Sequence, residues 1–231
     1  MAKKKGVEEC YLCGKPAENR DHIPPKGIFD NPRPANLITV PACNECNNAS
    51  AIDDEYFRWF VTTASAENPV AVKLIDNRIL PRFKRKPALL HQVLKGLRWV
   101  DVYSGDGIWI GQRPAFDFDR PRIQRIVEKI VAGLYLHHCS QRLNENYYIR
   151  DFILNPQPPN KEIVNAVMSL PFEAVGKGEV FFYHYWKDSE DNNITGWFLC
   201  FFTKTLILAS TDLKGRNRKI GNDGKILRIK Q

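Results

Sequence analysis

The sequence predicts an α+β protein in two unequal parts. Residues 7–66 form a small element without an apolar core of its own; residues 67–231 form a helical segment leading into an α+β domain with a mainly antiparallel sheet. Three observations predict it. Residues 7 to about 50 are rich in Cys, Asn and Pro and poor in apolar periodicity, the mark of an element held by something other than hydrophobic packing. Ile123, Ile126, Val127, Ile130, Val131 and Leu134 recur at three- and four-residue steps, the clearest helix in the chain. Nearer the C-terminus, β-branched and aromatic runs bounded by polar turns read as strands.

The elements follow in order. Residues 53–63 read as a helix with Tyr56, Trp59, Phe60 and Thr63 on one side, and Asn68-Pro69 caps and opens a helix through about Asn77. Pro87 opens another short helix. Residues 99–110 alternate across Ser104-Gly105-Asp106-Gly107, a turn suited to a hairpin. Asp119 is placed to cap the periodic helix. Residues 147–154 read as a strand and 161–169 as a helix ended by Pro171; strands follow over 179–186, 195–202 and 205–209, and then a basic, Gly-punctuated tail.

At 231 residues the chain is long enough to bury a sizeable core. Lys and Arg outnumber Asp and Glu by 34 to 26, a net charge of +8, which favours a polyanionic partner. The basic start, Met1-Ala2-Lys3-Lys4-Lys5, has no apolar stretch behind it, so it is not a signal peptide. With no run apolar enough to span a bilayer, a cytoplasmic protein with no membrane partner is expected. A Walker-type loop and a dinucleotide fingerprint are both missing, which argues against a nucleotide cofactor.

Four of the six cysteines fall in two C-x-x-C pairs, Cys10-Tyr11-Leu12-Cys13 and Cys43-Asn44-Glu45-Cys46. Each pair can fill two corners of a tetrahedron, and together they complete a structural zinc site with no open position for water. Free thiols or redox pairs are the alternatives, but in a reducing compartment such spacing reads as metal ligation. Three other features read as ordinary structure. His137-His138-Cys139 lies at a helix end, where adjacent side chains diverge and histidine suits the dipole. The aromatic run from Phe181 to Trp186 reads as strand packing rather than a base-stacking platform. Asp53, Asp54 and Glu55 are acids at a helix start.

Between and just beyond the knuckles lie Arg20-Asp21-His22-Ile23-Pro24-Pro25, then Asn36-Leu37-Ile38, then Asn47-Asn48 directly after Cys46. In this order the motifs resemble the HNH endonucleases, the zinc-stapled branch of the ββα-metal (His-Me) finger nucleases, over about residues 10 to 60. The resemblance implies a ββα-metal finger over 7–66, often in microbial defence settings, with His22 as general base. A neutral imidazole near pKa ~6.5 can take a proton from water at physiological pH. The resemblance further implies that Asp21 and Asn47 hold Mg²⁺ or another divalent metal, with Asn36 orienting the histidine loop. Asn47 stands where the family most often has histidine, and Asn48 takes its role if the register shifts by one. Arg20 and Lys26 flank the site, and Arg82, Lys84, Arg85 and Lys86 belong to an acid-free basic stretch over 78–98 suited to tracking phosphates. The expected substrate is DNA, with RNA as the alternative. The competing expectation is a non-catalytic, zinc-dependent nucleic-acid-binding protein derived from a nuclease.

Overall fold

The computed structural model describes residues 8–85, 90–91, 95–154, 161–214, 219–220 and 226–227. It is an α+β structure with a mainly antiparallel sheet and four cysteines gathered near its N-terminus. Strands β1 (Asn19–Ile23) and β2 (Ile38–Ala42) pair antiparallel, with Asp21 opposite Val40 and His22 opposite Thr39. Strand alternation sends Asp21 and Ile23 into the protein, while Arg20 and His22 take the other face. Cys43 ends β2 and caps α1 (Asn44–Ala49), its Sγ accepting the Cys46 N–H at 3.4 Å. Helix α2 (Ala51–Thr63) follows and buries Phe57, Trp59, Phe60 and Val61, in keeping with the expected helix over 53–63.

The next helix runs further than its sequence signals indicate. The side chain of Asn68 caps α3 (Pro69–Leu74) by accepting the Val70 N–H at 2.8 Å, but the chain does not stop near Asn77. It continues through a π-helical turn (Ile75–Ile79) into α4 (Leu80–Arg85), because burial of Leu74 and Ile79 carries the apolar face onward. The helix expected from Pro87 lies outside the described residues. The expected hairpin is formed by β3 (Leu97–Tyr103) and β4 (Trp109–Phe116), tethered where Phe116 meets Trp59 edge-on at 5.9 Å.

The periodic helix is α5 (Arg120–Cys139), capped by Asp119 as its sequence predicts. All six periodic residues, Ile123 to Leu134, are fully buried. Strands β5 (Tyr147–Leu154), β6 (Phe172–Val175), β7 (Phe181–Lys187), β8 (Thr195–Phe201) and β9 (Thr205–Leu213) form a sheet in the order β5-β9-β8-β7-β6, with every neighbouring pair antiparallel. Helix α6 (Lys161–Met168) connects β5 to β6. Strand β6 has only four residues, too few for a readable alternation. Strand β9 outruns its expected end at 209 because buried Thr211 continues the pairing, accepting the Thr195 N–H at 2.8 Å.

One hydrophobic cluster runs from Cys10 to Ala209 and crosses the sequence boundary expected at 66/67. Asn68 donates to the Phe202 carbonyl at 2.7 Å, and Ser65 and Thr205 share a hydroxyl hydrogen bond at 2.8 Å. Helix α5 packs under β1 so closely that a Cβ on Gly133 would lie 2.4 Å from Cγ1 of Ile23. Among the described residues no helix is long and apolar enough to cross a membrane.

Candidate functional site

The first knuckle is a tight turn: the Cys10 N–H reaches the Lys15 carbonyl at 2.7 Å, and the Gly14 N–H reaches the Cys10 carbonyl at 2.9 Å. Gly14 takes φ +75°, a conformation that L side chains rarely adopt. The second knuckle is fixed by the helix it caps. Together they bring all four Sγ atoms within 4.8 Å of one another, with Cys13 and Cys43 3.6 Å apart. A tetrahedral zinc with bonds of ~2.3 Å requires sulfur separations of ~3.8 Å, so the four thiols fit such a metal. Burial pushes the Cys10 thiol up, but hydrogen bonds from the Cys43, Cys13 and Leu12 backbone outweigh it and bring it down to about 7.

From this cage the chain leads directly to the predicted site. Tyr11, between the knuckle cysteines, is buried, and its hydroxyl donates to Asp21 Oδ2 at 2.9 Å. On the other face of β1, His22 is half-buried. Desolvation lowers its pKa, with the charges of Lys26, Arg33 and Lys129 adding to the effect against the opposing pull of Asp21. The imidazole is accordingly neutral at pH 7 and exposed enough to meet a solute. Lys26 is exposed beyond the end of β1, and Arg20 donates to the Thr39 hydroxyl at 3.1 Å and the Thr39 carbonyl at 3.0 Å.

Asp21 departs from its expected environment. It is only 6% exposed, its Oδ1 accepts the His22 N–H at 2.8 Å, and its Oδ2 pairs with Lys129 Nζ at 3.0 Å. Asn47 meets a different residue of the same strand face, donating to Asn19 Oδ1 at 2.9 Å. Asn36 uses both ends of its amide elsewhere, donating to the Ala174 carbonyl at 3.0 Å and accepting the Gly176 N–H at 2.7 Å. It fastens the β1–β2 connection to the turn after β6 instead of bracing the histidine loop. Asn48 is exposed.

The divalent ion implied at Asp21 and Asn47 therefore does not fit the residues as they stand. Both oxygens of Asp21 are already engaged, one of them by a full positive charge, while Asn47 bonds Asn19 through its NH2 alone. Sequence reading left out Lys129, Ser50 and the partner role of Asp54. The one available signal was a lysine between Ile126 and Ile130, on the apolar stripe of α5.

The expected phosphate-contacting residues divide. Arg82 is ion-paired with Glu55. Lys84 and Arg85 are exposed, and Lys86 lies outside the described residues. The acids at the start of α2 serve as ion-pair partners: Asp53 holds Arg122 and Arg125, each at 2.7 Å, and Asp54 holds Lys129. The structure also brings His137 and His138 beside Glu173, with ligand atoms within 4.8 Å. There His138 is already hydrogen-bonded to Tyr183, whose hydroxyl lies 2.8 Å from Glu173. Comparison with family models, with curated proteins and with solved structures returned no match.

Proposed function

We propose that the chain is an HNH-type endonuclease that hydrolyses DNA phosphodiester bonds, with His22 as general base on a ββα finger made of β1, β2 and α1. The observation that carries the reading is the His22 imidazole, half-exposed on β1, held neutral by its surroundings, and flanked by exposed Lys26. A neutral imidazole takes a proton from water, the hydroxide attacks phosphorus, and the leaving 3′-oxygen departs with its electron pair. Lys26 and Arg33, whose charges already act on His22, would offset the charge of a bound phosphate.

Zinc in the four-cysteine cage would supply structure, holding the Tyr11 turn against β1. A divalent ion of the kind the resemblance implies would supply Lewis-acid chemistry; since Asp21 is ion-paired with Lys129, the chemistry here rests on the imidazole and the cationic side chains. The net charge of +8 supports affinity for the nucleic-acid backbone.

A second reading has its own support. The ion pair of Asp21 with Lys129 favours a non-catalytic, zinc-dependent nucleic-acid-binding protein derived from a nuclease. Supercoiled plasmid and an RNA transcript, each incubated with the zinc-loaded chain in Mg²⁺, Mn²⁺ or EDTA, separate the readings. Plasmid nicking is the expected result. Binding to both substrates without cleavage in any condition contradicts the nuclease and leaves the second reading; cleavage confined to RNA changes the substrate.

A further inference from the structure

Lys129 is buried on the apolar stripe of α5, 3% exposed, between fully buried Ile126 and Ile130. An ammonium removed from water is strongly destabilised unless it is paired and hydrogen-bonded. Oxygens from three places meet it: Ser50 Oγ at 2.6 Å, Asp21 Oδ2 at 3.0 Å, and Asp54 Oδ2 and Oδ1 at 3.1 and 3.2 Å. These partners come from β1, the α1–α2 junction and α2, and the three N–H donors of the ammonium match the three residues. The Tyr11 hydroxyl stands behind Asp21. Two carboxylates face one ammonium, so the cluster carries more negative than positive charge. Hard oxygen donors with two carboxylates are the composition of a cation site.

We propose that Lys129 is the resident cation of this oxygen cage, standing at Asp21 in place of a divalent metal, and that removing its charge turns the cage into a divalent-metal site. Metal and ammonium cannot share the place. A Mg²⁺ ion binds oxygen at ~2.0–2.1 Å, and on Asp21 Oδ2 it would sit against a like charge only 3.0 Å from the same atom. A cavity of about 600 Å³ lined by Cys46, Ser50, Arg125, Lys129 and Tyr148 borders the cage on its Ser50 and Lys129 side. The proposal rests on the nuclease reading only for the significance of Asp21, and its test measures metal binding, not cleavage.

The test is Mn²⁺ titration of the full, zinc-loaded chain, followed by electron paramagnetic resonance of the free ion. Wild type is expected to show no Mn²⁺ site that Asp21→Asn alters. Lys129→Gln is expected to gain one Mn²⁺ per chain, at least about tenfold tighter than any residual Mn²⁺ binding of wild type, as two unpaired carboxylates demand a cation; adding Asp21→Asn is expected to abolish it. A wild-type Mn²⁺ site lost in Asp21→Asn overturns the proposal, as does a folded Lys129→Gln that gains no site. Because buried carboxylates left unpaired can unfold the variant, wild-type crystals soaked in MnCl₂ provide an independent reading. An anomalous peak at Asp21 overturns the proposal, and its absence beside an intact Lys129 contact supports it. A failure of the nuclease reading appears instead as lack of cleavage and leaves both metal measurements interpretable.

Discussion

His22 and Asp21 are adjacent in sequence but face opposite ways, and the strand puts a half-exposed imidazole on one side and a buried carboxylate on the other. Because burial, followed by the charges of Lys26 and its neighbours, lowers the His22 pKa below 6.5, the base remains available as pH falls. The acid limb of the cleavage rate against pH is expected to have its midpoint below 6.5; a midpoint above that value contradicts a base in this environment. As pH drops, the unfolded chain takes up the His22 proton first, so stability falls through the window from 6.5 down to the depressed native value. Chemical denaturation of wild type and His22→Gln across that window checks it, with a shallower pH dependence expected in the variant. The alternation of Asp21 and His22 was legible in the sequence. The partner of Asp21 was not, because Lys129 comes from a helix far along the chain and announces itself only as a charge on an apolar stripe.

Among the elements, the attachments of the β1–β2–α1 unit include the four-cysteine cage and the seat of Ile23 on Gly133. Replacing Cys46 by Ser is expected to lower bound zinc and the thermal midpoint together, since a structural metal contributes folding free energy directly. Unchanged stability in a metal-free variant contradicts the staple. At Gly133 two effects compete: alanine favours a helix by ~1 kcal/mol over glycine, while overpacking costs ~1–3 kcal/mol. With a Cβ forced to 2.4 Å from Ile23, sterics dominate, and Gly133→Ala is expected to be destabilising in urea denaturation. A neutral or stabilising result means β1 yields easily. Helices α2 and α5 were legible because their apolar residues follow the helical period and Asp119 is a strong cap. The extension of α3 through a π-turn was not, since it is the burial of Ile79 in tertiary structure that carries the helix past Asn77.

Over the whole molecule, a single hydrophobic cluster joins β1, α2, α5 and the five-stranded sheet, and the chain carries a net charge of +8. On the nuclease reading, DNA affinity falls steeply with salt. Lys84→Ala and Arg85→Ala are each expected to reduce the slope of log K against log salt by about one, whereas Arg82, already paired with Glu55, contributes less. A slope unchanged in the double variant removes this segment from the interface. The α+β class, the antiparallel sheet and the cysteine cage were readable from local pattern and spacing. Long-range pairings were not: Asn36 with Gly176, and Asp21 with Lys129, arise only when distant elements pack. The most direct measurement is plasmid nicking by wild type and His22→Ala, matched in zinc content and circular dichroism. Loss of general-base catalysis is expected to slow nicking by about a hundredfold or more in the variant. Equal rates in the two proteins, or no nicking by wild type in Mg²⁺, Mn²⁺, Ni²⁺ or EDTA, would contradict His22 as the base of a nuclease.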